Sequence, residues 1–258
     1  MILSCEKNIE RVKIMRESWL NKCSVPYVFV FGQEDLSPDY DIDLSANILL
    51  VKCNDGYDYL SHKVKAGIQS IIKIYNPNYI IKCDDDVYVD PEMLNEYVEY
   101  CLSKNIKYHG HPHYERKGST STWCKEKYIL EKNKSAYVYN EHIVYCMGPF
   151  YYLSREASQI LSDTMDPDLC RFEDVCVGLT LKKKNIIIDS DEKLQKYMYT
   201  NIIRDFLSHK FMCWHDISHH TFNNEAVIEK SQTDKYMYPN ISIANHILYI
   251  IKDYRQIQ

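Results

Sequence analysis

Glycine is scarce in this sequence, and several features that mark other classes of protein are missing. Only 7 of the 258 residues are glycine. No low-complexity linker or internal repeat interrupts the chain, so a single domain is expected. No apolar run reaches about 18 residues, the length that would indicate a membrane-spanning helix. The formal net charge is −5, which argues against a broad basic surface for nucleic acid.

Signals for secretion and for cysteine-based sites are also missing. The first charged residue, Glu6, comes too early for a signal peptide, so we expect a cytoplasmic protein, or a lumenal one if the chain is a fragment. The ten cysteines have irregular spacings without a CxxC pair. This favours free thiols in a reducing compartment over a zinc site or a disulfide framework.

Predicted strands alternate with amphipathic helices along the chain. Strands are predicted over residues 2–4, 27–32, 47–53, 79–83 and 150–154, and helices over 6–20, 60–75, 91–104, 155–164 and 173–184. Loops are predicted over 33–46 and 112–140, and a last helix over 241–254. This alternation is typical of an α/β fold with a mostly parallel sheet flanked by helices. Ligands of such sheets bind at the carboxyl ends of the strands.

Three consecutive carboxylates, Asp84, Asp85 and Asp86, follow the predicted strand over 79–83. They would repel one another unless a cation were present. Mn²⁺ and Mg²⁺ prefer such oxygen ligands and can bridge them to a diphosphate. A solvated acidic turn is the alternative, but apolar residues flank the triplet on both sides, and buried charges need partners. In an extended segment, Asp84 and Asp86 would point to one side and Asp85 to the other.

A second acidic pair, Glu173 and Asp174, opens the predicted helix over 173–184. A helix N-terminus favours the ionised form of a carboxylate, which suits a general base. The two side chains should point about 100° apart, so we expect only one to face a site. An ordinary first-turn acidic pair is the alternative. Further along the chain, candidate metal ligands cluster at His209, His215, His219 and His220.

Six segments resemble, in order, the motifs of the inverting β-1,3-galactosyltransferases and β-1,3-N-acetylglucosaminyltransferases, which include the Fringe-like enzymes. They are RVKIMRESW (11–19), DGYDYLSHK (55–63), KCDDDVYVD (82–90), VYCMGPFYYLS (144–154), FEDVCVG (172–178) and ISHHTF (217–222). Tyr59 and Ser61 stand where the family pattern has Asn and Thr. The resemblance implies a single GT-A-type, Rossmann-like domain. It would have a nucleotide-sugar-binding half over 1–110 and an acceptor and catalytic half over 111–258.

The resemblance also implies roles for individual residues. Asp174 would be the catalytic base. Metal ligands would be Asp86, its helper Asp84, and His220, with His215 and His219 open as alternatives to His220. Donor and nucleotide contacts would come from Arg11, Arg16, Asp55, Lys63, Asp84 and Asp85. The acceptor side would include Glu173, Gly148 and Tyr151.

The implied activity is an inverting hexosyl transfer that depends on Mn²⁺, with Mg²⁺ as the alternative. Galactose, N-acetylglucosamine or a related sugar would pass from a UDP-sugar to a hydroxyl of a glycan or glycoconjugate, with a β-1,3 linkage expected. Two other classes remain open from the residues alone. One is a metal-dependent phosphohydrolase, and the other is a non-catalytic carbohydrate-binding protein that keeps the fold.

Overall fold

A computed structural model of the chain describes residues 1–120, 137–189, 193–194 and 213–214. Its main sheet contains β1 (Ile2–Leu3), β2 (Phe29–Gly32), β3 (Tyr40–Asp43), β4 (Ile48–Val51), β5 (Tyr79–Asp84), β7 (Tyr108–Glu115) and β8 (Ile143–Ser154). The strand order is β3-β4-β2-β1-β5-β8-β7. A separate antiparallel pair joins β6 (Tyr88–Val89) to β9 (Cys213–Trp214).

The centre of the main sheet is parallel, as the strand–helix alternation predicts. β4, β2, β1 and β5 run in one direction. β3 pairs antiparallel with β4 at one edge, and β8 and β7 add antiparallel strands at the other. In this register Leu3 lies between Val30 and Asp84. The loop after β1 therefore begins beside the acidic end of β5.

The helices are α1 (Ile9–Glu17), α2 (Leu60–Tyr75), α3 (Pro91–Ser103), α4 (Arg155–Thr164) and α5 (Glu173–Lys182). Local sequence sets several of their ends. The side chain of Asp90 accepts hydrogen bonds from the first backbone N–H groups of α3, and Pro91 occupies the first turn without needing a donor. Asn76 ends α2 in a left-handed conformation with φ of 45°.

Side chains of the sheet pack against helices on both faces. Along β2, Val30 belongs to the core that includes Val64 and Ile68 of α2. Its neighbour Phe29 belongs to the core that includes Met15 of α1 and Leu94 of α3. Alternate residues of a strand point to opposite faces, so a single buried strand supports both helix layers.

Two predicted loops contain strands. Part of the predicted loop over 33–46 forms β3. Its alternating side chains Tyr40 and Ile42 pack against the core, while Asp41 and Asp43 face solvent. The predicted loop over 112–140 is wrong in its first residues, because β7 continues to Glu115 in pairing with β8. In both places backbone pairing with a neighbouring strand overrides a polar local sequence.

The remaining predictions vary in outcome. The predicted strand over 150–154 is the end of a strand that begins at Ile143. The predicted helix over 6–20 is divided into α1 and two flanking 3₁₀ turns. The predicted helix over 241–254 lies outside the described residues. No helix in the described part of the chain is long and apolar enough to cross a membrane, and the cysteines whose side chains are described are free thiols.

Candidate active site

The acidic triplet occupies the end of β5 and the turn that follows. β5 ends at Asp84, and Asp85 and Asp86 lie in the turn. The expectation that all three aspartates lie in an extended segment is therefore wrong. The three side chains divide between two cations, because Asp84 pairs with Lys82 whereas Asp85 and Asp86 share Arg11.

Asp85 is buried and fixes the turn against the N-terminal segment. One of its carboxylate oxygens accepts hydrogen bonds from Ser4 Oγ at 2.8 Å and Asn8 Nδ2 at 3.0 Å. The other accepts from Arg11 Nη1 at 2.7 Å. The same Arg11 nitrogen lies 3.5 Å from Asp86 Oδ2, so one guanidinium offsets part of the charge on two aspartates. The predicted donor contacts of Arg11 and Asp85 stay predictions.

The N-terminal motif over 11–19 also contacts the residue that follows the acidic turn, Val87. Trp19 Nε1 donates a hydrogen bond to the carbonyl of Val87 at 3.2 Å. Arg16 points elsewhere: it donates to the carbonyl of Ala46 and lies over the Phe29 ring, 5.3 Å from its centroid. In this structure Arg11 and Trp19 support the acidic turn, and Arg16 packs α1 against β2.

Lys82 is the residue that the sequence reasoning missed. Its side chain is only 2% exposed, and its ammonium nitrogen lies 2.6 Å from Asp84 Oδ1 and 3.3 Å from Glu173 Oε2. It also donates to the carbonyl of Gly148. Burial by itself would lower the pKa of Lys82, but Asp84 and Glu173 outweigh it and hold that pKa above the usual value. The signal was a lysine at an inward position of an apolar strand.

Glu173 and Asp174 begin α5 and differ in their surroundings. Glu173 is buried between Lys82 and the Tyr151 hydroxyl, which donates to it. Burial raises the pKa of Glu173 to about 7, although the Lys82 charge opposes the rise. Tyr151 is itself fully buried. The predicted acceptor-side roles of Glu173 and Tyr151 stay predictions, and their contacts here are internal.

Asp174 is partly exposed and is held by backbone donors. Its Oδ2 accepts from the N–H of Gly148 at 3.0 Å, and its Oδ1 accepts from the N–H of Val175 at 2.9 Å. Burial raises the pKa of Asp174, and these donors together with Lys82 limit the rise. Of the two acids, Asp174 is the more exposed residue.

Gly148 connects Asp174 to Lys82, which in turn pairs with Asp84. Its carbonyl accepts from Lys82, and its N–H donates to Asp174. A Cβ atom at this position would lie 3.6 Å from Asp174 Oδ2, 3.6 Å from Glu173 Oε2 and 3.7 Å from Lys82 Nζ. The structure therefore brings together the end of β5 and the start of α5, which are far apart in the sequence.

Asp55 and Lys63 form a second internal ion pair near the loop after β1. Asp55 also accepts hydrogen bonds from the N–H groups of Gly32, at 2.8 Å, and Glu6, at 3.0 Å. Lys63 is 1% exposed and donates to the carbonyl of Ser4 at 2.9 Å. These contacts fix the loops after β1 and β2. A direct contact of either residue with a nucleotide stays a prediction.

The carboxylates at the end of β5 are suitable ligands for a hard divalent cation. Asp84 is 31% exposed, and no described residue donates a hydrogen bond to its Oδ2. Within the described residues no group of three or more His, Cys, Asp or Glu side chains is arranged around a common metal position. The predicted ligand His220, its alternatives His215 and His219, and His209 all lie outside the described residues.

Comparisons with known proteins identify relatives of the chain. Residues 10–192 match a family model described as Galactosyltransferase. "Probable beta-1,3-galactosyltransferase 12" of Arabidopsis thaliana is 27% identical over 136 residues, which cover 51% of this chain and 35% of that protein. "Hydroxyproline O-galactosyltransferase GALT5" of the same plant is 24% identical over 197 residues, which cover 69% of this chain and 28% of that protein. The chain thus spans about a third of the length of these relatives.

Among solved structures, HddC from Yersinia pseudotuberculosis is similar with a TM-score of 0.33 and 12% identity, covering 64% of this chain and 79% of that one. That likeness is too weak to bear on fold or function. The family match is different, because it covers more than half of the chain and includes the acidic turn, Gly148 and both acids of α5. This chain belongs to the galactosyltransferase family.

Proposed function

We propose that this chain is an inverting, metal-dependent hexosyltransferase. It transfers galactose, N-acetylglucosamine or a related sugar from a UDP-sugar to a hydroxyl of a glycan or glycoconjugate and forms a β-1,3 linkage. Family membership supports a glycosyltransferase, and the names of the two plant proteins support galactosyl transfer in particular.

The observation that carries the proposal is that Gly148 connects Asp174 to Asp84, through Lys82. Asp84 lies at the carboxyl end of a parallel strand, where nucleotide ligands of such sheets bind, and is joined through Lys82 to the Gly148 carbonyl. Asp174 accepts from the N–H of the same residue. An inverting transfer needs a donor site and a base on opposite sides of the reacting carbon, and these two carboxylates supply one group for each.

Asp174 acts as the general base in this proposal. Each carboxylate oxygen has more than one acceptor position, so the bonds from Gly148 and Val175 leave room for the acceptor hydroxyl. The two backbone donors keep Asp174 ionised, and its burial raises its pKa towards the range where a carboxylate removes a proton more effectively. The adjacent Glu173 is occupied by Tyr151 and Lys82, which leaves Asp174 as the base.

Asp84 and Asp86, with His220, would hold the Mn²⁺ or Mg²⁺ ion, which when bound supplies positive charge to the leaving diphosphate. Arg11 orients Asp86 through its 3.5 Å contact, and Asp85 holds Arg11 in place. Lys82 fixes one oxygen of Asp84 and leaves the other for a ligand.

A donor screen tests the proposal. The purified chain is incubated with Mn²⁺ and a panel of UDP-sugars, with and without glycan acceptors, and both glycan product and free UDP are measured. We expect transfer with one or a few donors, loss of transfer with chelator, and loss in the Asp86→Asn variant but not in the surface control Asp41→Asn. Release of phosphate that does not depend on an acceptor would indicate a phosphohydrolase instead. Binding of UDP without any turnover would indicate a carbohydrate-binding protein.

A further inference from the structure

Lys82 connects three elements of the candidate site. Its ammonium group meets Asp84 at the end of β5, Glu173 at the start of α5 and the carbonyl of Gly148 in β8. We propose that Lys82 is a positioning residue, which sets Asp84 and, through the backbone of Gly148, Asp174 in a fixed relation to each other. This inference rests on the proposed function for its catalytic consequence, but its structural content can be tested separately.

The burial of Lys82 requires an explanation beyond packing. The residue shares the face of β5 that Ile80 occupies, where an aliphatic side chain would pack without any cost of desolvation. Lysine is almost never fully buried unless it is paired. Its side chain is nevertheless only 2% exposed, and its partner Glu173 is 4% exposed. The Lys82–Glu173 pair therefore costs desolvation free energy at a position where an apolar residue would also fill the space.

The three partners of Lys82 match its chemistry. An ammonium group has three N–H donors. This one donates to Asp84 and to the Gly148 carbonyl, and Glu173 Oε2 lies 3.3 Å away as an ion pair. Movement of this nitrogen towards one partner would lengthen its contact with another. The group therefore fixes the distance between the β5 end and the α5 start as well as balancing their charge.

The link from Lys82 to Asp174 passes through one residue, Gly148, whose carbonyl and N–H belong to the two successive peptide groups that meet at its Cα. The Gly148 carbonyl is held by Lys82, and the Gly148 N–H donates to Asp174 at 3.0 Å. A glycine has no side chain to fix its backbone, so this residue depends on its hydrogen bonds for its orientation. Loss of the ammonium group should leave the Gly148 backbone freer to rotate about its φ and ψ, and the N–H that donates to Asp174 would be less firmly placed.

The test has to separate positioning from charge balance. Lys82→Met alone leaves Glu173 buried without its cation and destabilises the fold for that reason. The informative variant is therefore Lys82→Met/Glu173→Gln, which removes both charges. The matched control is Lys107→Met/Glu156→Gln, which removes an exposed ion pair at the start of β7 and α4.

Two measurements are made on the double variants: hydrogen exchange of the Gly148 amide, and kcat and KM for transfer. In Lys82→Met/Glu173→Gln we expect the Gly148 amide to exchange at least about tenfold faster than in the wild type while amides of α2 keep their protection. We expect kcat to fall about 100-fold with little change in the KM of the donor, because small misplacements of a reacting group have effects of that size. The control should match the wild type in both.

Wild-type exchange at Gly148 together with wild-type kcat in the Lys82→Met/Glu173→Gln variant would overturn the proposal, because Lys82 would then only balance charge. If this variant does not fold, Lys82→Arg serves the same purpose, since it keeps the charge but moves the donors; unchanged exchange and kcat there would also overturn it. If the wild type transfers no sugar, the proposed function fails, and the exchange measurement alone still decides whether Lys82 positions Gly148.

Discussion

The backbone N–H of Gly148 donates a hydrogen bond to Oδ2 of Asp174 at 3.0 Å. The bond joins β8 to the first turn of α5 and holds the only one of the two α5 acids that is partly exposed. Because the Gly148 carbonyl accepts from Lys82, the same residue is linked to the acidic end of β5. Gly148 therefore links the two acidic elements of the site.

Gly148→Ala should reduce activity while leaving the fold nearly intact. The new methyl carbon would lie 3.6 Å from the Asp174 and Glu173 oxygens, which is ordinary contact, so we expect the free energy of unfolding to change by less than about 1 kcal/mol. The methyl group would occupy space beside Asp174 that the acceptor hydroxyl needs, and we expect kcat to fall by at least about tenfold. Urea unfolding and initial rates measure the two effects.

Gly178→Ala is the control, because it should lower stability without a separate effect on activity. A Cβ atom there would lie 2.5 Å from Cβ of Tyr145, so α5 and β8 would have to separate. We expect a loss of stability of about 1–3 kcal/mol, with whatever activity remains following the folded fraction. If Gly148→Ala were instead as destabilising as Gly178→Ala, the described spacing around Gly148 would be wrong.

Asp85 and Asp86 should respond differently to the same substitution. Asp85→Asn removes a buried carboxylate that accepts from Ser4, Asn8 and Arg11, and we expect it to lower the free energy of unfolding by about 2–4 kcal/mol. Asp86→Asn should cost less than about 1 kcal/mol in stability and abolish metal-dependent transfer. Chemical denaturation and a Mn²⁺-dependent rate assay distinguish the two. Equal loss of stability in both variants would contradict this division of roles.

The pH dependence of stability should contain a contribution from Glu173. Burial raises the pKa of Glu173 in the folded protein from 4.5 to about 7, so between these values the folded protein keeps a proton that the unfolded chain has released. Its contribution to the free energy of unfolding is therefore complete below pH 4.5, falls as the pH rises to about 7, and is lost above that. We expect the fall to be about 3 kcal/mol.

Glu173→Gln should remove this part of the pH dependence. The measurement is the free energy of unfolding from pH 4.5 to 8 in the wild type and in the variant, with Glu156→Gln as the surface control. The free energy of unfolding of the wild type minus that of Glu173→Gln should decline as the pH rises. The curve for Glu156→Gln should run parallel to that of the wild type. Parallel curves for all three proteins would contradict a raised pKa at Glu173.

Elements with strong local signals could be predicted from the sequence. β5 ends in the acidic cluster as expected, and α3 starts at Pro91 because Asp90 caps it. β3 could not be predicted in this way, because the segment becomes a strand only through pairing with β4. The same applies to β7, whose sequence contains Gly110 and Pro112 and whose pairing with β8 is shifted between those two residues.

The candidate site was predicted in part, and the limits have a physical cause. The order of the motifs identified Asp84 and Asp174 as candidate site acids, but it could not show that Lys82 and Gly148 connect them. It could not decide which acid of α5 is accessible, because that depends on Tyr151 and Lys82 surrounding Glu173. A lysine inside a strand is usually read as a surface residue, although sharing the face of Ile80 is a signal that could have identified Lys82.

The most direct test of the central claim is the Asp174→Asn variant, with transfer rate and UDP affinity measured on the same preparation. Asparagine keeps the shape of the side chain but cannot take the acceptor proton. We expect kcat to fall by at least about 1,000-fold, while the Kd for UDP with Mn²⁺ changes by less than about threefold. Transfer at an appreciable fraction of the wild-type rate, or an equal loss of transfer and UDP binding, would contradict the assignment of Asp174 as the base.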